Sequence, residues 1–312
     1  MTLDYKILWI DDREDFFKNH EDFIKEHIED KGFDAQIIKH KSLQEYLEND
    51  NEKIEQVKYD LFLIDLNLDN GNTGDEIIEK IRANKVLTDV IFYSTNLADV
   101  RKSICDNNIE GVFVTSRNQD DFEEKVTDVI DVTIKKVQDV NNLRGLIMAE
   151  VSELDRIKNS IVKKYCEITN NTDNELKKYI KTDVFSDFKS NLEKYDFLIS
   201  DDKNSHEQMD LYKFIDDLMY MSNKKSKTVF KIKRLHEPIR SIDFIHQNYF
   251  DEVIKKRNVF AHETEQEDEQ GKYLNYQNGS RLDFTEEHCI QIRKDIKKHK
   301  VLLEQIKFKL NE

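Results

Sequence analysis

The chain has 312 residues, enough for two ordinary domains with separate cores. Only one proline and seven glycines occur, and 36% of the residues are charged, which excludes collagen-like and low-complexity proteins. The start MTLDYKILWIDD does not have the pattern of a secretory signal, no run approaches the roughly 18 apolar residues of a membrane span, and the three cysteines form no CxxC pair. We therefore expect a cytoplasmic protein with no membrane partner, zinc site or disulfide framework.

The charge is divided unevenly between the two halves. Residues 1–140 carry 18 basic and 33 acidic side chains, whereas residues 141–312 carry 31 of each. A polyanion such as RNA would be repelled by the first half and tolerated only by the second. The division suggests two domains with different tasks.

Strands and helices alternate in the first predicted domain, residues 1–140. Short apolar runs predict strands at residues 5–10, 35–38, 59–65, 90–94 and 111–114. Amphipathic periodicity predicts helices at residues 14–31, 42–50, 74–84, 97–108 and 118–138. Strict alternation predicts a doubly wound (β/α)5 domain with a parallel sheet, whose ligand site lies beyond the carboxyl ends of the strands.

The second predicted domain, residues 141–312, is expected to be all-helical. A period of 3.6 residues predicts helices at residues 143–165, 174–199, 207–221, 238–262 and 286–310. The only proline, Pro238, is expected in the first turn of its helix, where a missing N–H costs nothing. Residues 263–284, an acidic run followed by a Gly/Asn/Tyr-rich stretch, are predicted to form a loop.

Polar residues follow the predicted strands of the first domain. Asp11 and Asp12 end the first, Asp65 ends the third, Ser94 ends the fourth and Thr115 ends the fifth. Three carboxylates brought to one edge repel one another, so we expect them to hold a divalent cation such as Mg²⁺. One carboxylate in such a site can also be a nucleophile that forms an aspartyl-phosphate. The alternative is that these are ordinary solvated turns.

The segments ILWIDD, LFLIDLNLDNGNTGDEII and VIFYSTN, within residues 4–138, resemble the receiver domain of bacterial response regulators. The resemblance implies that Asp65 is the phosphoacceptor and that Asp11 and Asp12 are the acidic metal pair. It also implies that the backbone carbonyl of Asn67 completes the metal site and that Ser94 is the switch residue. A histidine kinase or another regulatory protein is the implied partner.

The fifth strand departs from the receiver pattern. Receivers carry a Lys-Pro pair there, but this chain reads GVFVTSRN, which places Thr115 where the lysine belongs. Thr115 and Ser94 are the two candidate switch residues. The lysine neutralises phosphate charge. Arg117, two residues on, is the candidate substitute, with a different geometry. Phosphorylation of Asp65 and metal binding alone remain alternatives.

The second domain contains the segment KKRNVFAHE, residues 255–263, near the end of a predicted helix. Asn258 and His262 are four residues apart and share a helix face, and the long side chain of Arg257 can reach them. An imidazole can transfer the protons of RNA cleavage, an arginine can neutralise the phosphorane, and an amide can orient the phosphate. This chemistry needs no cofactor and leaves a 2′,3′-cyclic phosphate and a 5′-hydroxyl. The alternative is that Arg257 and His262 only stabilise the end of a helix.

The RNVFAH motif in a helical domain resembles the HEPN superfamily, whose nucleases carry Arg-(polar)-x-x-x-His late in a helical bundle. The resemblance covers roughly residues 143–310 and implies a homodimer in which two motifs form one composite site. It also implies a helping acidic residue from the first helix, for which the sequence offers Glu150, Glu153 and Asp155. Inactive relatives serve as scaffolds, so a non-catalytic domain remains an alternative.

A basic segment, NKKSKTVFKIKRLHEPIR, precedes the motif. Lys231, Lys233 and Arg234 are its candidate RNA-binding residues, because cations interleaved with Phe230 can neutralise phosphates while the ring stacks on a base. A solvated loop, or a loop that docks on the acidic half of the chain, explains the pattern equally well.

The sequence therefore predicts a dimeric, metal-independent endoribonuclease controlled by a receiver-like domain, of the kind that serves as a stress, toxin or antiphage effector. The first alternative is a signalling adaptor whose helical domain only dimerises or binds a protein. A transcriptional regulator is the second alternative, although the chain has no compact helix-turn-helix pattern.

Overall fold

The computed structural model describes residues 3–42, 44–45, 59–68, 73–137, 140–184, 222–269, 271–276 and 279–311. Most of the predicted helix at residues 42–50, the end of the helix at 174–199 and the whole of 207–221 lie outside these residues. The chain forms two compact units, Thr2–Leu143 and Arg144–Glu312, which are described separately below.

The N-terminal unit is built on a five-stranded parallel sheet with the strand order β2-β1-β3-β4-β5. Its strands are β1 (Asp4–Ile10), β2 (Asp34–His40), β3 (Leu61–Asp65), β4 (Val90–Ser94) and β5 (Val112–Ser116). The described helices are α1 (Glu14–Asp30), α2 (Gly74–Ala83), α3 (Leu97–Asp106) and α4 (Gln119–Val137). This is the doubly wound, flavodoxin-like order, so the predicted fold class is confirmed for this unit.

Both faces of the sheet are covered, which explains why its central strands are apolar at nearly every position. Successive residues of a strand point to opposite faces of the sheet. Trp9 therefore joins a core cluster with α1 and α4, whereas its neighbour Leu8 joins a second cluster with α2 and α3. All the residues of β3 and β4 are buried. This packing fixes the carboxyl ends of the strands, where the polar side chains lie.

The described part of the C-terminal unit is mainly helical. Its helices are α5 (Val140–Ile168, which begins in the other unit), α6 (Asn174–Tyr179), α7 (Ser222–Leu235), α8 (His246–Tyr249), α9 (Lys255–His262) and α10 (Glu286–Lys309). A π-helical segment, Phe250–Ile254, joins α8 to α9. Among the described helices, none combines the length and the apolar character that a membrane span requires.

The prediction of one helix over residues 238–262 is wrong at its start. Pro238 lies in a short 3₁₀ turn, Glu237–Ile239, and regular helix begins only at His246. Ile242 and Phe244 are both buried between these elements. Residues two apart point in nearly opposite directions on a helix but share a side of an extended chain. Burying both side chains therefore favours the break.

The prediction of a loop over residues 263–284 is also wrong. The segment forms a three-stranded antiparallel sheet of β6 (Gln266–Asp268), β7 (Gly271–Asn275) and β8 (Arg281–Asp283). Leu274 and Leu282 are paired and buried, whereas most of the other side chains are at least partly exposed. With so few apolar positions, the alternation that marks a strand was too weak to detect.

An ion pair and a hydrogen bond hold the segment that carries the RNVFAH motif against α10. The side chain of Lys256 lies 2.6 Å from Asp295, and that of Glu252 lies 2.7 Å from Nε2 of His299. His299 is buried, and the side chain of Asp295 is 8% exposed. Partly buried pairs of this kind fix orientation more firmly than exposed ones do. They set the direction in which the motif faces.

Candidate functional site

The structure brings together the three carboxylates that the sequence placed at the strand ends. Asp11 and Asp12 follow β1 directly, and Asp65 is the last residue of β3. One ligand oxygen from each lies within 4.8 Å of the others. Because hard cations take several carboxylate oxygens at short range, the cluster fits a divalent metal site.

Asp65 lies at the centre of this edge and is only 1% exposed. Its Oδ2 accepts the backbone N–H of Asn67 at 3.2 Å, and its buried Oδ1 has no hydrogen-bond partner among the described residues. Burial raises the pKa of Asp65 to about 7, with Arg117 opposing this rise and the carboxylates of Asp11 and Asp12 adding to it. The buried Oδ1 without a donor and the raised pKa of Asp65 both fit a carboxylate that binds a cation.

Asn67 and Ser94, the other two predicted members, are joined to each other. The Asn67 side-chain amide donates to Oγ of Ser94 at 2.9 Å, and Ser94 is fully buried at the end of β4. The backbone N–H of Asn67 contacts Asp65. Asn67 thus contacts the candidate switch residue through its side chain and the candidate phosphoacceptor through its backbone N–H. The role of the Asn67 carbonyl in metal binding stays a prediction.

Thr115 is buried, but its hydroxyl is directed toward α4 rather than toward the carboxylates. It donates to the backbone carbonyl of Asp121 at 2.9 Å. The positive charge at the cluster comes instead from Arg117, whose Nη2 donates to both carboxylate oxygens of Asp11 and lies 3.3 Å from Oδ2 of Asp65. The candidate substitute for the receiver lysine therefore reaches the site.

Two features of this edge were not predicted. The Tyr93 hydroxyl donates to Oδ2 of Asp11 at 2.7 Å and accepts from Nε1 of Trp9, the only tryptophan of the chain, at 2.7 Å. A Cβ on Gly74 would lie 2.1 Å from the carbonyl oxygen of Asp65. The spacing of Trp9 and Asp11 puts both on one side of β1 and could have indicated the first feature. The second depends on a close backbone approach, which a single sequence does not reveal.

The raised pKa of Asp65 predicts a pH-dependent stability for the cation-free protein. The folded state binds this proton more tightly than the unfolded state does, so its stability falls as the pH rises from about 4 to above 7. The loss amounts to at most about 4 kcal/mol at 1.36 kcal/mol per pKa unit. In EDTA, Asp65→Asn should therefore raise the free energy of unfolding more at pH 8 than at pH 5. Urea unfolding followed by Trp9 fluorescence measures this, and an equal effect at both pH values would refute the assignment.

The structure places the RNVFAH motif in the last two turns of the long helical segment. Asn258 and His262 are both exposed, one turn apart on α9, and Nη1 of Arg257 donates to Oδ1 of Asn258 at 3.2 Å. The Arg257 Nε is buried without a hydrogen-bond partner among the described residues. The backbone N–H of Glu263, the residue that follows α9, donates to the Val259 carbonyl and ends the helix. The imidazole and the amide are thus accessible rather than built into the core.

The three acidic candidates of α5 all have partners elsewhere. Their ionic contacts pair Glu150 with Lys300, Glu153 with Arg156, and Asp155 with Lys158, at 3.4, 2.5 and 2.7 Å respectively. Glu150 and Lys158 are buried. These contacts give the acidic residues a structural role, and they do not single out a partner for the motif.

The basic segment forms α7 rather than a loop. The ammonium group of Lys231 lies 2.5 Å from Glu175, and that of Lys233 donates to the Phe244 carbonyl at 3.2 Å. Arg234 is exposed. Of the three candidate RNA-binding residues, two are therefore engaged within the unit, and the accessible basic surface here is smaller than the sequence indicated.

No protein-family model matches the chain, and no curated protein matches it. Several solved structures that are similar to it are response regulators or their receiver domains. A CheY-like receiver domain protein from Methanospirillum hungatei is 22% identical, with 42% of this chain and 98% of that chain covered and a TM-score of 0.31. A two-component response regulator from Clostridium difficile is 21% identical, with 41% of this chain and 96% of that chain covered and a TM-score of 0.30. A receiver domain protein from Clostridium thermocellum is 22% identical, with 42% of this chain and 95% of that chain covered and a TM-score of 0.32. The strand order of this chain gives its N-terminal unit the doubly wound, flavodoxin-like fold, which receivers also have.

Proposed function

We propose that the helical unit is a metal-independent endoribonuclease and that the receiver unit controls it. The observation that carries this proposal is the exposed pair of Asn258 and His262, one helical turn apart, with the Arg257 guanidinium bonded to the amide. An arginine, an amide and an imidazole grouped at an accessible surface are what cleavage of an RNA phosphodiester needs. The resemblance of the motif to HEPN nucleases points to the same chemistry.

In this mechanism the 2′-hydroxyl of RNA attacks the adjacent phosphorus, and the bond to the 5′-oxygen breaks. His262 moves a proton, either from the attacking hydroxyl or to the leaving oxygen. Arg257 neutralises the charge that develops on the phosphorane oxygens, and Asn258 orients the phosphate or the imidazole. The products are a 2′,3′-cyclic phosphate and a 5′-hydroxyl, and DNA is resistant because it lacks the nucleophile. A homodimer that pairs two motifs would supply both proton transfers.

In the receiver unit, Asp11, Asp12 and Asp65 would hold Mg²⁺, with the carbonyl of Asn67 as a further ligand. Bound there, Mg²⁺ would neutralise the oxygens of an incoming phosphoryl group. Asp65 is the proposed phosphoacceptor, with a histidine kinase or another regulatory protein as the partner. Ser94 and Asn67 would sense the change at Asp65, because their side chains are joined by a hydrogen bond. The output is a stress, toxin or antiphage response.

One observation favours the alternative, a non-catalytic adaptor whose helical unit only dimerises or binds a protein. Lys231 and Lys233 form contacts within the helical unit, which leaves fewer free cations for an RNA backbone than the sequence suggested. RNA binding depends strongly on such cations. The adaptor needs no exposed imidazole, so the two functions differ in what His262 does.

Incubation of the purified protein with labelled total RNA in EDTA tests the proposal. We expect cleavage in the absence of free metal, with products that carry cyclic-phosphate ends, and no cleavage of a single-stranded DNA of matched sequence. Cleavage of RNA and DNA alike, or 3′-hydroxyl ends, would exclude this mechanism. No cleavage in EDTA or with Mg²⁺ and a phosphoryl mimic would favour the adaptor.

A further inference from the structure

The guanidinium of Arg117 lies inside the acidic cluster rather than beside it. Its Nη2 donates to both carboxylate oxygens of Asp11 and lies 3.3 Å from Oδ2 of Asp65. One cationic nitrogen therefore contacts two of the three carboxylates that would hold a metal. A charge-assisted contact of one nitrogen with both oxygens neutralises a carboxylate efficiently.

Aromatic rings hold this guanidinium in place. Its central carbon lies 4.8 Å from the ring centre of Phe16 and 5.8 Å from that of Tyr93, and only 9% of the side chain is exposed. The Tyr93 hydroxyl also donates to Asp11, so the ring and the carboxylate that hold Arg117 are themselves joined. Cation–π contacts with desolvated rings add to the ionic ones. Arg117 is thus a positioned, nearly buried cation and not a solvated surface arginine.

A divalent cation on these oxygens would be in contact with the guanidinium. Two cations at such range in a buried site repel each other strongly, because neither water nor salt screens them well. We propose that Arg117 is the resident counter-cation of the cluster and that a divalent cation binds Asp11 and Asp65 only after the guanidinium leaves them. Arg117 therefore sets the cation concentration at which the receiver unit responds. This inference rests on the metal site proposed for the receiver unit and does not depend on the nuclease.

Titration of the full chain with Mn²⁺ tests the inference, read out by calorimetry and by the fluorescence of Trp9. Trp9 is a suitable reporter because it is the only tryptophan and reaches Asp11 through the Tyr93 hydroxyl. We expect Arg117→Met to bind Mn²⁺ at least about tenfold more tightly than the wild type, since a competing buried charge has been removed. Arg101→Met is the matched control, because Arg101 is exposed on α3 and its loss changes the net charge equally. It should change the affinity by less than about twofold, as expected of a screened surface charge.

Two more variants make the result decisive. Arg117→Lys keeps the charge but loses the planar guanidinium that lies over the Phe16 ring, and we expect an affinity between those of the wild type and Arg117→Met. Asp65→Asn added to Arg117→Met should abolish the gain, which locates the Mn²⁺ at the cluster. Urea unfolding in EDTA shows that each variant is folded. Equal affinities in the wild type and Arg117→Met, or no binding by either at millimolar Mn²⁺, would overturn the inference.

Discussion

His262→Ala is expected to lower the rate of RNA cleavage in EDTA by about 10²- to 10⁴-fold, the range over which a positioned acid or base contributes. The loss should lie in catalysis and not in folding, because His262 is exposed at the end of α9. Substitutions at such surface positions usually change the free energy of unfolding by no more than about 0.5 kcal/mol. The measurement is single-turnover cleavage of a labelled RNA, with thermal unfolding recorded on the same samples.

His288→Ala is the matched control for this variant. His288 is also exposed in the helical unit, at the start of α10, where its ring contacts only the backbone carbonyl of Asp283 among the described contacts. We expect it to cleave RNA at the wild-type rate. A His262→Ala protein that retains the full rate would show that the imidazole takes no part in cleavage and would favour the adaptor.

Gly74→Ala is expected to destabilise the N-terminal unit by about 3 kcal/mol or more, the upper end of what overpacking usually costs. The added Cβ would lie 2.1 Å from the Asp65 carbonyl oxygen and 2.9 Å from Cγ2 of Ile64. The first of these contacts is with the backbone of a fully buried strand, which cannot turn aside as a flexible side chain could. Gly74 is also held in place, because its N–H donates to the Leu66 carbonyl at 2.9 Å.

Urea unfolding followed by Trp9 fluorescence measures this effect, since Trp9 lies in the core of the same unit. The surviving folded protein should also bind Mn²⁺ poorly, because the clash displaces Asp65. Gly145→Ala is the control glycine: it lies in α5 with nothing within 4 Å of an added Cβ. It should leave the Trp9 transition unchanged and raise the stability of α5 by up to about 1 kcal/mol. An unchanged urea midpoint for Gly74→Ala would show that the end of β3 shifts to accommodate the added Cβ.

The fold of the N-terminal unit could be predicted from the sequence because its signals are local and repeated. Buried runs such as residues 61–64 are apolar, and each is followed by a polar residue at the same sheet edge. The meeting of Asp11, Asp12 and Asp65 follows from the rule that parallel strands end together. The exact partner of Arg117 did not follow, because a side chain two residues beyond a strand has many directions open to it.

The helical unit was less predictable, for two physical reasons. The break before His246 depends on burying Ile242 and Phe244 together, which is a tertiary effect that outweighs helical periodicity. The small sheet over residues 266–283 has few apolar positions and is fixed by pairing between its own strands. Similarly, Lys231 pairs with Glu175, far along the chain, and Lys233 donates to the Phe244 carbonyl across a turn. Such partners are not evident from the sequence, which therefore overstated how accessible this basic run is to RNA.

The most direct test of the account is the RNA-cleavage rate of the full chain with and without a phosphoryl mimic. Wild type, Asp65→Asn and His262→Ala would each be assayed in EDTA and then with Mg²⁺ and beryllofluoride. Control through Asp65 predicts that loading the receiver changes the rate of the wild type, leaves that of Asp65→Asn unaltered, and does not restore cleavage to His262→Ala. Cleavage that responds equally in wild type and Asp65→Asn would contradict control by the acidic cluster, and no cleavage by the wild type under either condition would contradict the nuclease.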